Sequence, residues 1–227
     1  MFTGLVREIG VLRAIGPRGG VVRLDIAAPG IAAAARPGDS VAVGGICLTV
    51  TGVRGPVFSV EAASETRRLT TLGRWRPGRR LHLEPALRAG DPLDGHLVQG
   101  HVDGTGQVVG VRRVGSDKLV AIALPAALAR FLVPKGSVAV DGVSLTVDEG
   151  PHRDRFTVNL IPHTLQWTTF AGLLPGRRAN LEMDVLVKAA RAGAQVGLPT
   201  TATPPPAVTM ERLQAAGFGR RRPKGRA

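Results

Sequence analysis

The stretch "SVAVGGICLTV" runs from Ser40 to Val50, and "SVAVDGVSLTV" follows 97 positions later, from Ser137 to Val147. Each is a short alternating run, a glycine-bearing turn and a second alternating run, the pattern of strands with one buried face. The copies differ at one chemically notable position, Cys47 in the first and Ser144 in the second.

The likeness extends outward from this pair. Downstream, "FSVEAASETRRLTTLGRWRPGRRLHLE" (Phe58–Glu84) matches "FTVNLIPHTLQWTTFAGLLPGRRANLE" (Phe156–Glu182), with one residue gained in the loop between. Upstream, "GLVREIG" (Gly4–Gly10) matches "GHVDGTG" (Gly100–Gly106). Three blocks in one order define a duplicated domain, and a repeat of about 100 residues can close a core of its own. Each copy carries five or six short alternating runs, such as "VVRLDIA" and "RLHLEPA", separated by Gly- and Pro-containing turns. The expected fold is mainly β: two tandem, similar antiparallel barrels, closed so that no sheet edge is left open. "SETRRLTTLG" and "PHTLQWTTFAG" predict a short helical turn across one barrel end, and "PAALARFL" predicts another short helix. Residues 1–95 form the first barrel, and residues 96–192 form the second and begin a helix. Residues 193–227 hold a linker, a helix capped by Thr209 and stopped by Gly217, and a disordered basic tail.

With 44% hydrophobic and 21% charged residues, a chain of 227 residues has a soluble, globular composition. No apolar run reaches the roughly 20 residues that cross a bilayer. The start, "MFTGLVREIG", lacks the pattern of a secretory signal. The expectation is a cytoplasmic protein with no membrane partner. The single cysteine, Cys47, excludes an internal disulfide and a four-cysteine zinc site. The net charge of +13 raises nucleic-acid binding. Yet Arg220, Arg221, Arg222, Lys224 and Arg226 crowd the C-terminus, and aromatic residues for base stacking make up 4%. No specific nucleic-acid partner is expected.

Candidate chemistry centres on the repeated turn-strand stretch. Cys47 and Thr49 lie two apart and share a strand face, as do Ser144 and Thr146. They either line a barrel mouth or form a pocket wall with hydrogen-bonding and nucleophilic groups. In "GHLVQGHVDG", His96 and His101 are five apart, on opposite faces of a strand, which argues against a chelating pair. No metal is expected. His101 stands where the first repeat has Leu5, so one site gains a proton-transfer group that the other lacks. Glu84 and Glu182 occupy matching strands, and Asp184 follows only in the second copy. No phosphate-binding loop, dinucleotide fingerprint or Ser-His-Asp motif is present. Composition and spacing lead to two similar β barrels, each with a small polar pocket, and stop there.

Taken together, "MFTGLV", "SVAVGGICLTV", "ETRRLTTLG", "GHLVQGHVDG", "KGSVAVDGVSLTV", "IPHTLQWTT" and "NLEMDVLVK" resemble the riboflavin synthase family of the α-chain type. The resemblance runs from Met1 to about Ala192 and resumes at "VTMERLQAAGF". It implies six-stranded Greek-key barrels and a C-terminal helical segment. It also implies a transferase that moves four carbons between two molecules of 6,7-dimethyl-8-ribityllumazine. The products are riboflavin and 5-amino-6-(ribitylamino)uracil. No cofactor is implied, because the acidic C7 methyl of the substrate supplies the carbanion. The implied assembly is a homotrimer, with the site between the first barrel of one subunit and the second barrel of the next. Lumazine synthase is a further implied partner.

Carried onto this sequence, the resemblance gives the first barrel's ligand Gly4, Leu5, Val6, Cys47, Leu48 and Thr49. It adds Glu61, Ala62, Ala63, Ser64, Glu65 and Thr66, with Gly100, His101 and Val102. The second barrel's ligand receives Ser144, Leu145, Thr146, Ile161, Pro162, His163, Thr164, Leu165 and Gln166, with Lys135 from the partner side. Ser40, Cys47, His101, Ser144 and Asp184 are marked for catalysis. The sequence departs from the family pattern at Gly44 and His82, where Asn is usual, and at Pro85, where Arg is common. The rival reading is a non-catalytic lumazine- or flavin-binding relative. Such relatives tend to lose the first-barrel cysteine, which is present here.

Overall fold

A computed structural model describes residues 1–152, 154–195 and 209–216. In the first repeat, six strands close into an antiparallel barrel in the order β1 (Glu8–Arg18), β2 (Val21–Ala27), β5 (Val57–Ala62), β4 (Ile46–Arg54), β3 (Ser40–Val43) and β6 (Arg80–Pro85). The interior is a packed core. Leu24, Ile26, Val43, Phe58, Val60 and Leu83 are buried within it, and buried Trp75 packs among them. A short helix, α1 (Pro29–Ala34), precedes β3. A second, α2 (Ser64–Leu69), runs into the 3-10 turn Thr71–Arg74. Thr70 sets that junction: its hydroxyl donates to Thr66 O and accepts from Leu72 N–H.

The second repeat has the same strand order, β7 (Gly104–Val114), β8 (Asp117–Ala123), β11 (Arg155–Leu160), with β10 (Val143–Thr146), β9 (Ser137–Val140) and β12 (Arg178–Met183) on the other flank. Its ladder is a six-stranded sheet, where sequence reading expects a second closed barrel. β4 runs for nine residues and β10 for four. Past β10 the chain turns through Gly150, at a φ of 104°, into Pro151, which has no N–H to donate. The seam to β11 is held by the bridge Val147–Val158 and by Asp148 N–H to Thr157 O, without a continuous ladder. The predicted helices recur here as α3 (Ala126–Ala129), one turn only, and α4 (Pro162–Trp167), which leads into the 3-10 turn Thr169–Gly172.

Both β3–β4 and β9–β10 are two-residue hairpins. Gly44 and Gly45 have φ of 55° and 81°, and Asp141 and Gly142 have 46° and 80°, the two positive values that a right-twisted hairpin prefers. The two turns meet. A Cβ on Gly45 would lie 2.5 Å from Gly142 N, so only glycine allows this approach. Around the contact, the repeats trade hydrogen bonds. Asn180 on β12 donates to Gly44 O and accepts from Thr71 N–H. Its counterpart on β6, His82, bonds Asp141 O through Nδ1 and accepts from Thr169 N–H at Nε2. Nδ1 must donate to the carbonyl, and Nε2, which accepts an N–H, carries no proton, so the imidazole is the neutral Nδ1–H tautomer. The departures Gly44 and His82 therefore belong to the joint between the repeats. Gly44 lies under Trp75, where a Cβ would sit 3.2 Å from the indole.

The compact unit formed by the repeats extends from Met1 to Arg191. β12 leads into α5 (Val185–Gln195), where Asp184 caps the start by accepting from Leu186 N–H. Leu186 stands 62% exposed on this amphipathic helix. Beyond it, α6 (Met210–Ala215) has Thr209 as its N-cap, its hydroxyl accepting from Arg212 N–H as expected. α5 runs to Gln195, past residue 193 where sequence reading begins the linker; residues 196–208, Gly217 and the basic tail lie outside the described residues.

Candidate active site

The polar pairs read from the sequence face outward. On β4, Ile46, Leu48 and Val50 fill the core, while Cys47 is half-buried and Thr49 exposed on the opposite face. On β10, Leu145 points inward, and Ser144 and Thr146 point outward. Any ligand of these residues therefore sits against the barrel wall. Leu48, Leu145 and Ala62 are buried in the cores, so they can offer such a ligand backbone but not side chain.

Two extended arms, Met1–Val6 and Val98–Val102, pass over these outer faces. They pair with each other through reciprocal Phe2–Val98 backbone bonds, and Phe2 and Val98 pack between the barrels with Ala42 and Ala139. Each arm is anchored on one barrel and delivered to the other. Glu84, on β6 of the first barrel, accepts from Thr3 N–H at 2.6 Å, the Thr3 hydroxyl at 2.7 Å and Gly4 N–H at 2.9 Å. Gly4 O then accepts from Ser144 N–H of the second barrel at 2.8 Å. In mirror fashion, Glu182 on β12 accepts from Gln99 N–H at 2.6 Å and Gly100 N–H at 2.9 Å. Gly100 O accepts from Cys47 N–H of the first barrel at 2.9 Å. Burial pushes both carboxyls above the ordinary glutamate value, and these N–H donors oppose the shift.

Gly4 and Gly100 have φ of 78° and 76°, and Cβ atoms there would lie 2.7 Å from Ser144 Cβ and 2.6 Å from Cys47 Cβ. Both positions demand glycine for conformation and for space. The resemblance groups Gly4, Leu5 and Val6 with Cys47; here Gly4 is bonded to Ser144, and Val6 packs on the second core. Gly100, His101 and Val102 do attend the first barrel, with Val102 packed on its core and His101 exposed.

The remaining candidates border the same faces. Ser40 pairs with Thr49, Thr49 with Glu61, and Ser137 with Thr146 in strand register. Ala63, Ser64 and Glu65 are exposed at the start of α2, as are Ile161, Pro162 and His163 at the start of α4. Thr66 and Thr164 play one role, each giving its carbonyl to the threonine four residues on. Leu165 packs on the second core, and Gln166 is exposed. Lys135, at a φ of 62°, pairs with Asp148 at 2.6 Å. Ser40 also borders a cavity of about 510 Å³ with Arg7, Glu8, Ile31, Asp39 and Arg88, which neither Cys47 nor Ser144 lines.

Sequence reading missed His96. Its Nδ1 lies 2.7 Å from Ser144 Oγ, its Nε2 is buried without a partner, and its backbone N–H donates to Thr3 O. Burial holds this imidazole below its ordinary value, opposed by Asp184. The spacing to His101 showed only that the two do not chelate. The arm pairing that brings His96 to Ser144 has no periodic signature.

Two β repeats, each offering one half-buried polar face roofed by a glycine arm, make a scaffold with twin outer faces. The lumazine binding domain family matches this chain twice, at residues 3–86 and 99–184. The riboflavin synthase of Mycobacterium tuberculosis (strain ATCC 25618 / H37Rv) is 44% identical over 191 residues, covering 83% of this chain and 95% of that protein. That of Bacillus subtilis (strain 168) is 37% identical over 188 residues, covering 83% and 87%. The chain belongs to the riboflavin synthase family. Its fold is also that of LumP crystallised with 6,7-dimethyl-8-(1'-D-ribityl) lumazine, with a TM-score of 0.72 at 22% identity over 81% of this chain and 99% of that one.

Proposed function

We propose that this protein is a riboflavin synthase, a transferase that converts two molecules of 6,7-dimethyl-8-ribityllumazine into riboflavin and 5-amino-6-(ribitylamino)uracil. The observation that carries the reading is the matched pair of faces, Cys47 under Gly100 and Ser144 under Gly4. A reaction between two copies of one substrate needs two similar binding faces. It also needs them to differ, because one lumazine gives the four-carbon unit and the other accepts it. The Cys/Ser difference and His101 supply that asymmetry. Holding both reactants in register removes the entropy of a bimolecular encounter, which is worth several kcal/mol of barrier.

In this reading the first face, with Cys47 and His101, serves adduct formation and proton transfer at C7 of one lumazine. Ser144 and Asp184 orient or deprotonate the other, and Ser40 flanks the first face through its pairing with Thr49. The exposure of Leu186 on α5 supports a trimer in which this helix packs between subunits, with each site joining the first barrel of one subunit to the second barrel of the next. Lys135 then reaches the site from its partner side. We assign the protein to the cytoplasm, and lumazine synthase is its candidate partner. No helix among the described residues is long and apolar enough to cross a membrane. The test is to mix purified protein with the lumazine and follow the absorbance of riboflavin. A stable complex without product would reduce the function to binding.

A further inference from the structure

We infer that His96 is a positioning residue for Ser144: it donates from Nδ1 to Ser144 Oγ and so turns the serine's own hydroxyl hydrogen toward the bound substrate. The inference rests on the reading above that Ser144 meets a lumazine.

Three observations carry it. His96 is 8% exposed, and its Nδ1 lies 2.7 Å from Ser144 Oγ. Its Nε2 is buried with no partner. A neutral imidazole has one N–H and one lone pair, so the bare Nε2 must hold one of them. Leaving a lone pair unpaired is the lesser loss, since orphaned buried N–H groups are the rarer case in folded proteins. The Nδ1–H tautomer follows, with Ser144 Oγ as acceptor. The serine hydrogen then cannot point at His96. Ser144 N–H is already given to Gly4 O. The hydroxyl hydrogen is thus free for a carbonyl or ring nitrogen of a ligand on the outer face. Ring placement is also fixed, because His96 N–H is bonded to Thr3 O of the arm that Glu84 anchors. Among the described residues no side chain hydrogen-bonds the Cys47 thiol in the same way. His96 therefore adds a further asymmetry between the two faces, beside the Cys/Ser difference and His101.

The test compares variants that keep or lose a donor at the Nδ1 place. Asn places its amide nitrogen near Nδ1, Gln places it near Nε2, and Phe keeps the shape without a donor. His96→Asn should retain most of the turnover. His96→Gln and His96→Phe should lower kcat by about tenfold, with KM for the lumazine changed less than about threefold. In a Ser144→Ala background, His96→Phe should add less than about twofold. A full additive loss in that background, or wild-type kcat in His96→Phe, would overturn the positioning role while leaving the Ser144 reading intact. Wild-type kcat in Ser144→Ala would sink that reading and this inference together. Nitrogen NMR of the wild-type imidazole gives an answer that needs no variant: a proton on Nδ1 is the expected result, and a neutral ring protonated at Nε2 contradicts the inference.

Discussion

Replacing Glu182 with Gln probes the crossed-arm architecture. Glu182 is 3% exposed, and its carboxylate accepts from the N–H of half-buried Gln99 and from that of buried Gly100. A Gln side chain keeps one oxygen and turns an NH₂ toward the other N–H. One buried donor is left unpaired, at a cost of about 1–3 kcal/mol, and the surviving bond loses its charge assistance, worth about another 1 kcal/mol. Removing a charge that burial disfavours offsets part of this, so a net local cost of about 2 kcal/mol is expected. That is roughly a 30-fold increase in opening of the arm, given 1.4 kcal/mol per decade. Amide hydrogen exchange reads it directly. Protection at Gly100 and at Cys47, whose N–H is bonded to Gly100 O, should fall by about 30-fold, and turnover should fall with it. Ser144, served by the other arm, should keep its protection. Glu84→Gln should give the reverse pattern, with Gly4 and Ser144 exposed to exchange and Cys47 protected. Unchanged exchange at Gly100 and Cys47 in Glu182→Gln would refute the anchoring argument.

The joint between the repeats predicts an acid response. Burial lowers the pKa of His82, with Asp141 opposing that shift and Arg177 and Arg79 adding to it. Below the ordinary value of 6.5, the unfolded chain takes up a proton that the folded chain refuses, so stability falls by up to about 1.4 kcal/mol per pH unit for this group. Glu84 and Glu182, with raised values, act in the opposite sense nearer pH 4.5. His82→Asn, which copies Asn180, should flatten the fall in urea-unfolding stability just below pH 6.5; an unchanged slope would contradict the assignment. Cys47→Ser should remain folded and bind lumazine with little loss, while turnover drops by about tenfold or more, about 1.4 kcal/mol in the barrier, as seen by kinetics beside ligand titration. On the proposed trimer with sites between subunits, chains carrying Cys47→Ala and chains carrying Ser144→Ala should regain activity when refolded together. No recovery would place the site within one chain.

Much of this was legible in the sequence. The repeat of "SVAV" with a glycine turn gave two similar antiparallel β units, and the Cys47/Ser144 contrast singled out the outer faces to which the proposed function assigns the ligands. The crossed arms were not legible. Gly4 and Gly100 align as repeat equivalents, but nothing in spacing says that each is anchored on one barrel and seated on the other. Glu84 and Glu182 stood out only as matching strand residues, since a carboxylate that holds backbone N–H groups has no sequence signature. The seam in the second repeat escaped for a similar reason. Val147 repeats the alternation of Val50, and the break comes afterwards, at Gly150 and Pro151.

The most direct test of the central claim is product stoichiometry. Purified protein is incubated with 6,7-dimethyl-8-ribityllumazine alone, and all species are quantified by chromatography through many turnovers. Two lumazines should disappear for each riboflavin and each 5-amino-6-(ribitylamino)uracil that form, with the loss of Cys47 slowing all three changes equally. Lumazine that saturates the protein yet is recovered unchanged would contradict the claim.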